Sequence, residues 1–262
     1  MNSLREGLFQ VPAMLIAAVF CCLIFTLNWF GHSVRKSIAK RNPEKDISLG
    51  TAEGALMGLM ALLLAFSFSM SATKFEGRRQ TIIDEVNLIN TVFLRCQLFP
   101  DSARGPMLAG LKNYVDSRIA YFDAGDNPQK INEALANTDK YFNDVWKKNA
   151  LLINDVNTRF RGEQLVLALI NMRNIVTTRE AARVAAVPTL ILAVLLTLVF
   201  VASFLTGYGV KPGNRSPLFS LAFAIMTSVV LYLVMELGRP RQGYINLKGA
   251  EQELVDLRKV MS

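Results

Sequence analysis

The stretch from Gly50 to Arg79, GTAEGALMGLMALLLAFSFSMSATKFEGRR, decides how the rest of the chain is read. Its centre, Ala55 to Met70, carries no charge. With its small and polar flanks it is long enough to cross a bilayer as a helix, which takes about 20 mostly apolar residues. One helical face reads Gly50, Gly54, Gly58, Ala61, Ala65 and Ala72. Small residues at that spacing let helix backbones approach closely in lipid, where packing rather than water exclusion drives association. A second face reads Met57, Met60, Leu64, Ser67, Ser71, Lys74 and Arg78, turning from apolar through hydroxyl to cationic. Two readings stand side by side. Either both faces are packing surface, or the helix belongs to a tight oligomer and its second face borders a water-filled path.

Working outward, three more apolar blocks follow the same logic: Val11 to Phe30, Pro188 to Leu205 and Leu218 to Leu237. The chain of 262 residues is 52% hydrophobic, and that character is concentrated in these blocks. The fold class this predicts is all-α, a polytopic membrane protein with four transmembrane helices and a helical soluble insert between spans two and three. Residues 1–74 are read as an N-terminal transmembrane hairpin and 75–185 as the soluble insert. Residues 186–243 form a C-terminal transmembrane hairpin, and 244–262 an amphipathic tail lying on the insert or the membrane. The weakly charged start and the Asn28-Trp29-Phe30 sequence after the first block argue against a cleaved signal peptide. Trp29 and Phe30 read instead as interfacial anchors.

The insert shows helical periodicity throughout. Ile82, Ile83, Val86, Ile89, Val92 and Phe93 share a face of a helix ending near Phe99–Pro100, and Asp101 or Ser102 is placed to cap the next. Met107, Leu111, Tyr114, Val115, Ile119 and Phe122 mark the second helix, and Asp123 to Pro128 is a turn. A third helix runs from about Gln129 to Lys148. After a break at Asn154 to Arg161, a last one runs from about Gly162 to Ala185 into the third span. Pro188 predicts a kink there. Gly207, Gly209, Pro212, Gly213 and Pro217 predict a hard break after it.

The net charge of +8 would raise nucleic acid as a partner in a soluble protein. Here the cations sit beside apolar spans, the usual place of topology-setting and headgroup-facing Lys and Arg, and nucleic acid is excluded. Ten cations near span ends lie on the insert side: Arg5, Lys74, Arg78, Arg79, Arg173, Arg179, Arg183, Arg239, Arg241 and Lys248. Seven lie on the other: Arg35, Lys36, Lys40, Arg41, Lys45, Lys211 and Arg215. The total favours a cytoplasmic insert, although the densest cluster is the first loop. Cys21, Cys22 and Cys96 make no disulfide framework, and the lone His32 makes no metal site. No zinc spacing, phosphate loop, dinucleotide fingerprint or nucleophile elbow is present. No catalytic residue, metal or cofactor is expected.

Three clusters carry a resemblance: Leu62 to Arg79 (LLLAFSFSMSATKFEGRR), Asp84-Glu85-Val86-Asn87-Leu88-Ile89, and Leu231 to Ile245 (LYLVMELGRPRQGYI). Together they resemble the bacterial bestrophin-like membrane family of unknown function, whose pattern has Glu-Ala-Asn where this chain has Glu85-Val86-Asn87, and an aspartate at the place of Gly238. Through bestrophins the resemblance implies a homo-oligomer, favouring a pentamer, with second spans around a central anion path that continues through a helical vestibule. The acidic run of the bestrophin calcium clasp has no counterpart in Leu237 to Ile245.

Candidate residues follow. Met60, Leu64, Phe66, Ser67, Phe68 and Ser71 are the pore or constriction candidates, and Lys74, Arg78 and Arg79 the cations of a vestibule mouth. Those three cations pair alternatively with Asp84 and Glu85 or with lipid phosphates. Ionisable groups at membrane depth are costly and so mark candidate sites: Glu53 at the start of the second span, and Glu236 with Arg239 at the end of the fourth. Glu53 equally suits a helix-start carboxylate, and Glu236 with Arg239 a structural pair. Gly50, Gly54, Gly58, Ala61 and Ala65 are the helix-packing set. The expected partners are membrane lipid, copies of the same chain and inorganic anions. Two functions remain open, an anion-preferring channel and a non-conducting scaffold or sensor whose insert binds a partner. No inverted repeat supports an active transporter.

Overall fold

The computed structural model describes residues 13–41, 50–185, 187–211, 213, 216–238 and 245–261. Among these there are eight helices and no strand. They are α1 (Ala13–Arg41), α2 (Gly50–Cys96), α3 (Asp101–Asp123), α4 (Pro128–Asn154), α5 (Arg159–Val184), α6 (Thr189–Gly209), α7 (Pro217–Leu237) and α8 (Lys248–Val260). Four helical stretches are long and apolar enough to cross a membrane. The chain divides into two compact units, Met1–Phe75 with Ala186–Ile245, and Glu76–Ala185 with Asn246–Ser262.

In the first unit α1 packs along α6 and α7. Its core joins Ile24 of α1, Met60 and Leu64 of α2, Leu195 and Val199 of α6, and Ala224 and Leu231 of α7. The four apolar helices thus share one core. α1 does not stop at Gly31 but runs ten residues further. Its Ser33 and Ser37 hydroxyls donate back to the carbonyls of Trp29 and Ser33, and Lys40 and Arg41 suit the negative end of the helix dipole.

Gly207, read as part of a break, and Gly31 are both sites of close approach. A Cβ at Gly207 would lie 1.9 Å from the Asn28 carbonyl oxygen, and one at Gly31 would lie 2.1 Å from that of Phe204. α6 stays helical through Gly207, which admits the backbone of α1, and Gly209, which faces the Glu53 carboxylate. At Pro188 the structure breaks where a kink was expected. α5 ends at Val184, Ala185 turns extended at φ −62°, ψ 118°, and α6 restarts at Thr189 with Pro188 at its cap. Proline lacks the N–H that would continue the ladder, and it disfavours helical geometry in the residue before it.

The apolar second span and the first helix of the insert are one continuous helix of 47 residues. In the second unit α3 packs on α4, α4 on α5, and α3 on α8. Ile89, Val92, Leu111, Tyr114, Val145, Leu165 and Met172 form its core. The turn before α4 is as expected: Gly125 takes the left-handed φ of 55°, and Asn127 caps α4 by accepting from the Lys130 N–H ahead of Pro128. The cap of α3 is not as expected. Pro100 stands there, and Asp101 pairs with Arg104 within the helix. The tail helix α8 packs on this unit. Leu254 of α8 is fully buried in the core of this unit, and Arg258 holds Asp116 of α3 with two hydrogen bonds at 2.7 and 3.1 Å.

Candidate functional site

Within the first unit α2 shows three faces. One is packed: Met60 and Leu64 are 5% and 8% exposed, and Ser67 and Ser71 are buried with hydroxyls that find no hydrogen bond among the described residues. This part of the face, read either as packing surface or as the border of a water-filled path, lies inside the subunit. Thr206 of α6 donates to the Met57 sulfur on its border. A second face is small and uncovered, with Gly50, Gly54, Gly58, Ala61 and Ala65 exposed and open space beyond Gly54 and Gly58. Phe68 lies on that side. A third face carries Leu59, Leu62 and Phe66, all exposed. At about 100° per residue, Phe66 and Phe68 point about 160° apart.

The charges at membrane depth separate. Glu53 lies in the first turn of α2, and its carboxylate packs on Gly209 of α6, where a Cβ would fall 2.2 Å from Oε2. Glu236 is buried and accepts from the Ile245 N–H at 3.4 Å. Arg239, expected beside it, lies outside the described residues.

The three vestibule cations do not act alike. Lys74 is half-buried. Arg79 is exposed and pairs with Glu76 one turn back at 2.9 Å. Arg78 is buried and reaches the end of α5, donating from Nε to the Ala182 carbonyl and from Nη2 to the Ala185 carbonyl. Burial pulls its guanidinium below the usual arginine range. Such a cation suits the negative end of a helix whose last carbonyls lack partners. None of the three is paired with Glu85.

Glu85 has other partners. One carboxylate oxygen accepts from Arg118 Nε of α3 and the other from Arg179 Nη1 of α5, and all three residues are buried. Burial pushes the Glu85 carboxyl up, but the two guanidinium charges and their hydrogen bonds outweigh it and hold the group below the usual range. Arg179 lies 3.8 Å from the Phe122 ring centre, and Arg118 lies 4.6 Å from that of Tyr121. Cation–π contact of this kind partly replaces lost hydration. The sequence reading took Arg179 for a topology-setting cation and passed over Arg118. A signal existed: Glu85 falls within the apolar stripe Ile82, Val86, Ile89, and Arg179 continues the stripe Leu165, Leu169, Met172. A charge inside an apolar stripe asks for a buried partner.

Among the described residues, no group of three or more His, Cys, Asp or Glu is placed to hold a metal ion. No sequence-family profile and no curated protein matches the chain. Solved structures do. A bacterial bestrophin homologue from Klebsiella pneumoniae superposes with a TM-score of 0.70 at 14% identity, over 92% of this chain and 98% of that one. A point variant of that homologue gives 0.71 at 13% identity with the same coverage. A further solved membrane protein gives 0.72 at 12% identity, over 93% of this chain and 95% of that one. These likenesses span both compact units, and the chain has a bestrophin-like fold.

Proposed function

We propose that the chain is the subunit of a homo-oligomeric membrane ion channel, anion-permeable, with α2 lining the path and the second unit continuing it as a helical vestibule. The observation that carries this reading is the uncovered face of α2. Glycines and alanines stand bare on a helix whose neighbouring Met60–Ser71 face is packed inside the subunit, and such a face fits close contact with another helix in lipid. The bestrophin-like fold adds what the resemblance implies, a ring of second spans around an axis, with five copies favoured. The same resemblance and the cation balance support a bacterial inner membrane and a cytoplasmic vestibule.

The packed placement of Met60, Leu64, Ser67 and Ser71 narrows the constriction to Phe66 or Phe68, and their opposed directions let only one stand in a neck. An apolar ring of that kind gates by dewetting. Anion preference rests on Lys74 and Arg79, since Arg78 is held by the end of α5. Protein reconstituted in liposomes is expected to collapse a chloride gradient, and either Phe66→Ala or Phe68→Ala, but not both, to raise the leak several-fold. No flux from intact oligomers would remove the channel reading.

A second reading has one observation in its favour. Arg118 and Arg179 bridge through Glu85, and Arg95 of α2 donates to the Gln164 carbonyl of α5, so α2 and α5 run antiparallel. Leu94 on α2, Leu98 in the turn after it, and Phe160 and Leu167 on α5 are exposed at that end. A scaffold whose second unit binds a partner would use such side chains.

A further inference from the structure

The end of the second unit where α2 stops and α5 starts turns large apolar side chains outward. On α2 the core takes Val92, Phe93 and Cys96, and on α5 it takes Leu165, Leu169 and Met172. The helical repeat leaves Leu94 of α2, Leu98 in the turn after it, and Phe160 and Leu167 of α5 on the side away from that core. Each is more than half exposed, as is Val156 in the turn before α5. Arg95 ties the two rows together by donating to the Gln164 carbonyl, within one turn of both Phe160 and Leu167. Single apolar residues on a surface are ordinary, but a group drawn to one end of a unit marks an interaction surface. The charges at this end do not balance. Arg95, Arg159 and Arg161 bond the backbone carbonyls of Gln164, Ile153 and Asn157, and none of the three meets a carboxylate among the described residues. Asp101 is taken by Arg104, and Asp155 turns to the Asn157 N–H and the Thr158 hydroxyl. The exposed Glu163 therefore faces three guanidiniums.

We infer that this end of the second unit docks an acidic amphipathic helix of another protein, whose apolar face covers Leu94, Leu98, Phe160 and Leu167 and whose carboxylates pair with Arg95, Arg159 and Arg161. The inference rests on the reading of the second unit as a partner-binding scaffold and names the chemistry of that partner. A helix laid over apolar rows is anchored by its side chains at i, i+3, i+4 and i+7. A guanidinium holds a carboxylate with two parallel hydrogen bonds, and opposite charge around an apolar centre fixes the orientation of the pair. A two-fold contact between copies of this end would set the guanidiniums against their own kind. An anionic membrane would meet the same cations, but Leu167 stands about 12 Å along α5 from its start, further back than a flat surface touching the end would reach. A helix lying along α2 and α5 covers it.

The test is fluorescence anisotropy with the full chain in phosphatidylcholine nanodiscs, empty discs giving the blank. The probe is a labelled helical peptide of about 18 residues, with leucine on one face and glutamate flanking it, compared with the same peptide carrying lysine for glutamate. The glutamate peptide is expected to bind, more weakly in high salt, and the lysine peptide to stay free. Phe160→Asp and Arg161→Glu are each expected to weaken binding at least tenfold. Both positions are exposed, an unchanged unfolding midpoint shows that the variants fold, and Leu167→Asp replaces either one that does not. A lysine peptide that binds as tightly and is lost in Phe160→Asp overturns the acidic partner and leaves the scaffold reading standing. If neither peptide binds, or if the variants bind as the wild type does, the docking surface and the scaffold reading fall together. Phosphatidylglycerol vesicles captured where neither peptide is would overturn the inference in favour of a membrane.

Discussion

The two halves of α2 bury polar atoms by opposite means. Up to Phe75 the buried polar groups on this helix are the neutral hydroxyls of Ser67 and Ser71, set among Met60, Leu64 and the side chains of α6 and α7. Beyond Glu76 the same helix buries a carboxylate, Glu85, between two arginines. A hydroxyl needs no counter-charge, and it suits a segment where an ionised group costs several kcal/mol. In the second unit the ion is tolerated because each carboxylate oxygen has a guanidinium and both arginines lie over aromatic rings. One half tolerates small neutral substitutions, and the other tolerates none that unbalances charge.

That contrast is open to attack. Glu85→Gln leaves two buried arginines without a counter-charge, and breaking a buried pair costs about 3–5 kcal/mol. The unfolding midpoint in detergent should fall steeply, and Arg179→Met made alongside it should recover part of the loss. The acid limb sharpens the point. The folded carboxyl titrates below its ordinary value, so its contribution is full above about pH 4.3, the usual glutamate value, and is lost as pH falls through the folded one. The Gln variant should lack that component, and parallel acid limbs in the two proteins would argue against the triad.

Gly207→Ala drives a methyl group into the Asn28 backbone and should cost about 1–3 kcal/mol by overpacking, read from the same midpoint. Arg258→Ala removes a half-exposed pair with Asp116 and should cost less than about 1 kcal/mol, with the difference shrinking in high salt. Gly58→Leu meets open space within the subunit and should shift its midpoint by about 0.5 kcal/mol or less. If that face joins subunits, the same variant should lower the mass of the assembly measured in detergent. An unchanged mass would leave the glycine stripe facing lipid.

The apolar blocks were legible because about 20 uncharged residues in a row have few other uses, and the helices of 75–185 because apolar side chains recur at helical spacing. The turn from Asp123 to Pro128, and so the approximate start of α4, was legible from turn residues alone. Gly207 was misread because a glycine that breaks a helix and one that admits a neighbouring backbone look the same in one dimension. The choice between a packed and a wet face for Ser67 and Ser71 stayed open in the sequence for a related reason. Periodicity shows which residues share a side of a helix and not what lies opposite that side.

The order of residues by itself determined the four apolar stretches, the all-helical character and the turn at Gly125, because these depend on neighbours within a few positions along the chain. Tertiary structure alone decided that Glu85 meets Arg118 and Arg179, which stand 33 and 94 positions away. It likewise joined α8 to the core of the second unit and closed α1 against α6 at two glycines. Those pairings depend on which surfaces meet once the helices pack, and the pattern within any single helix does not contain that information.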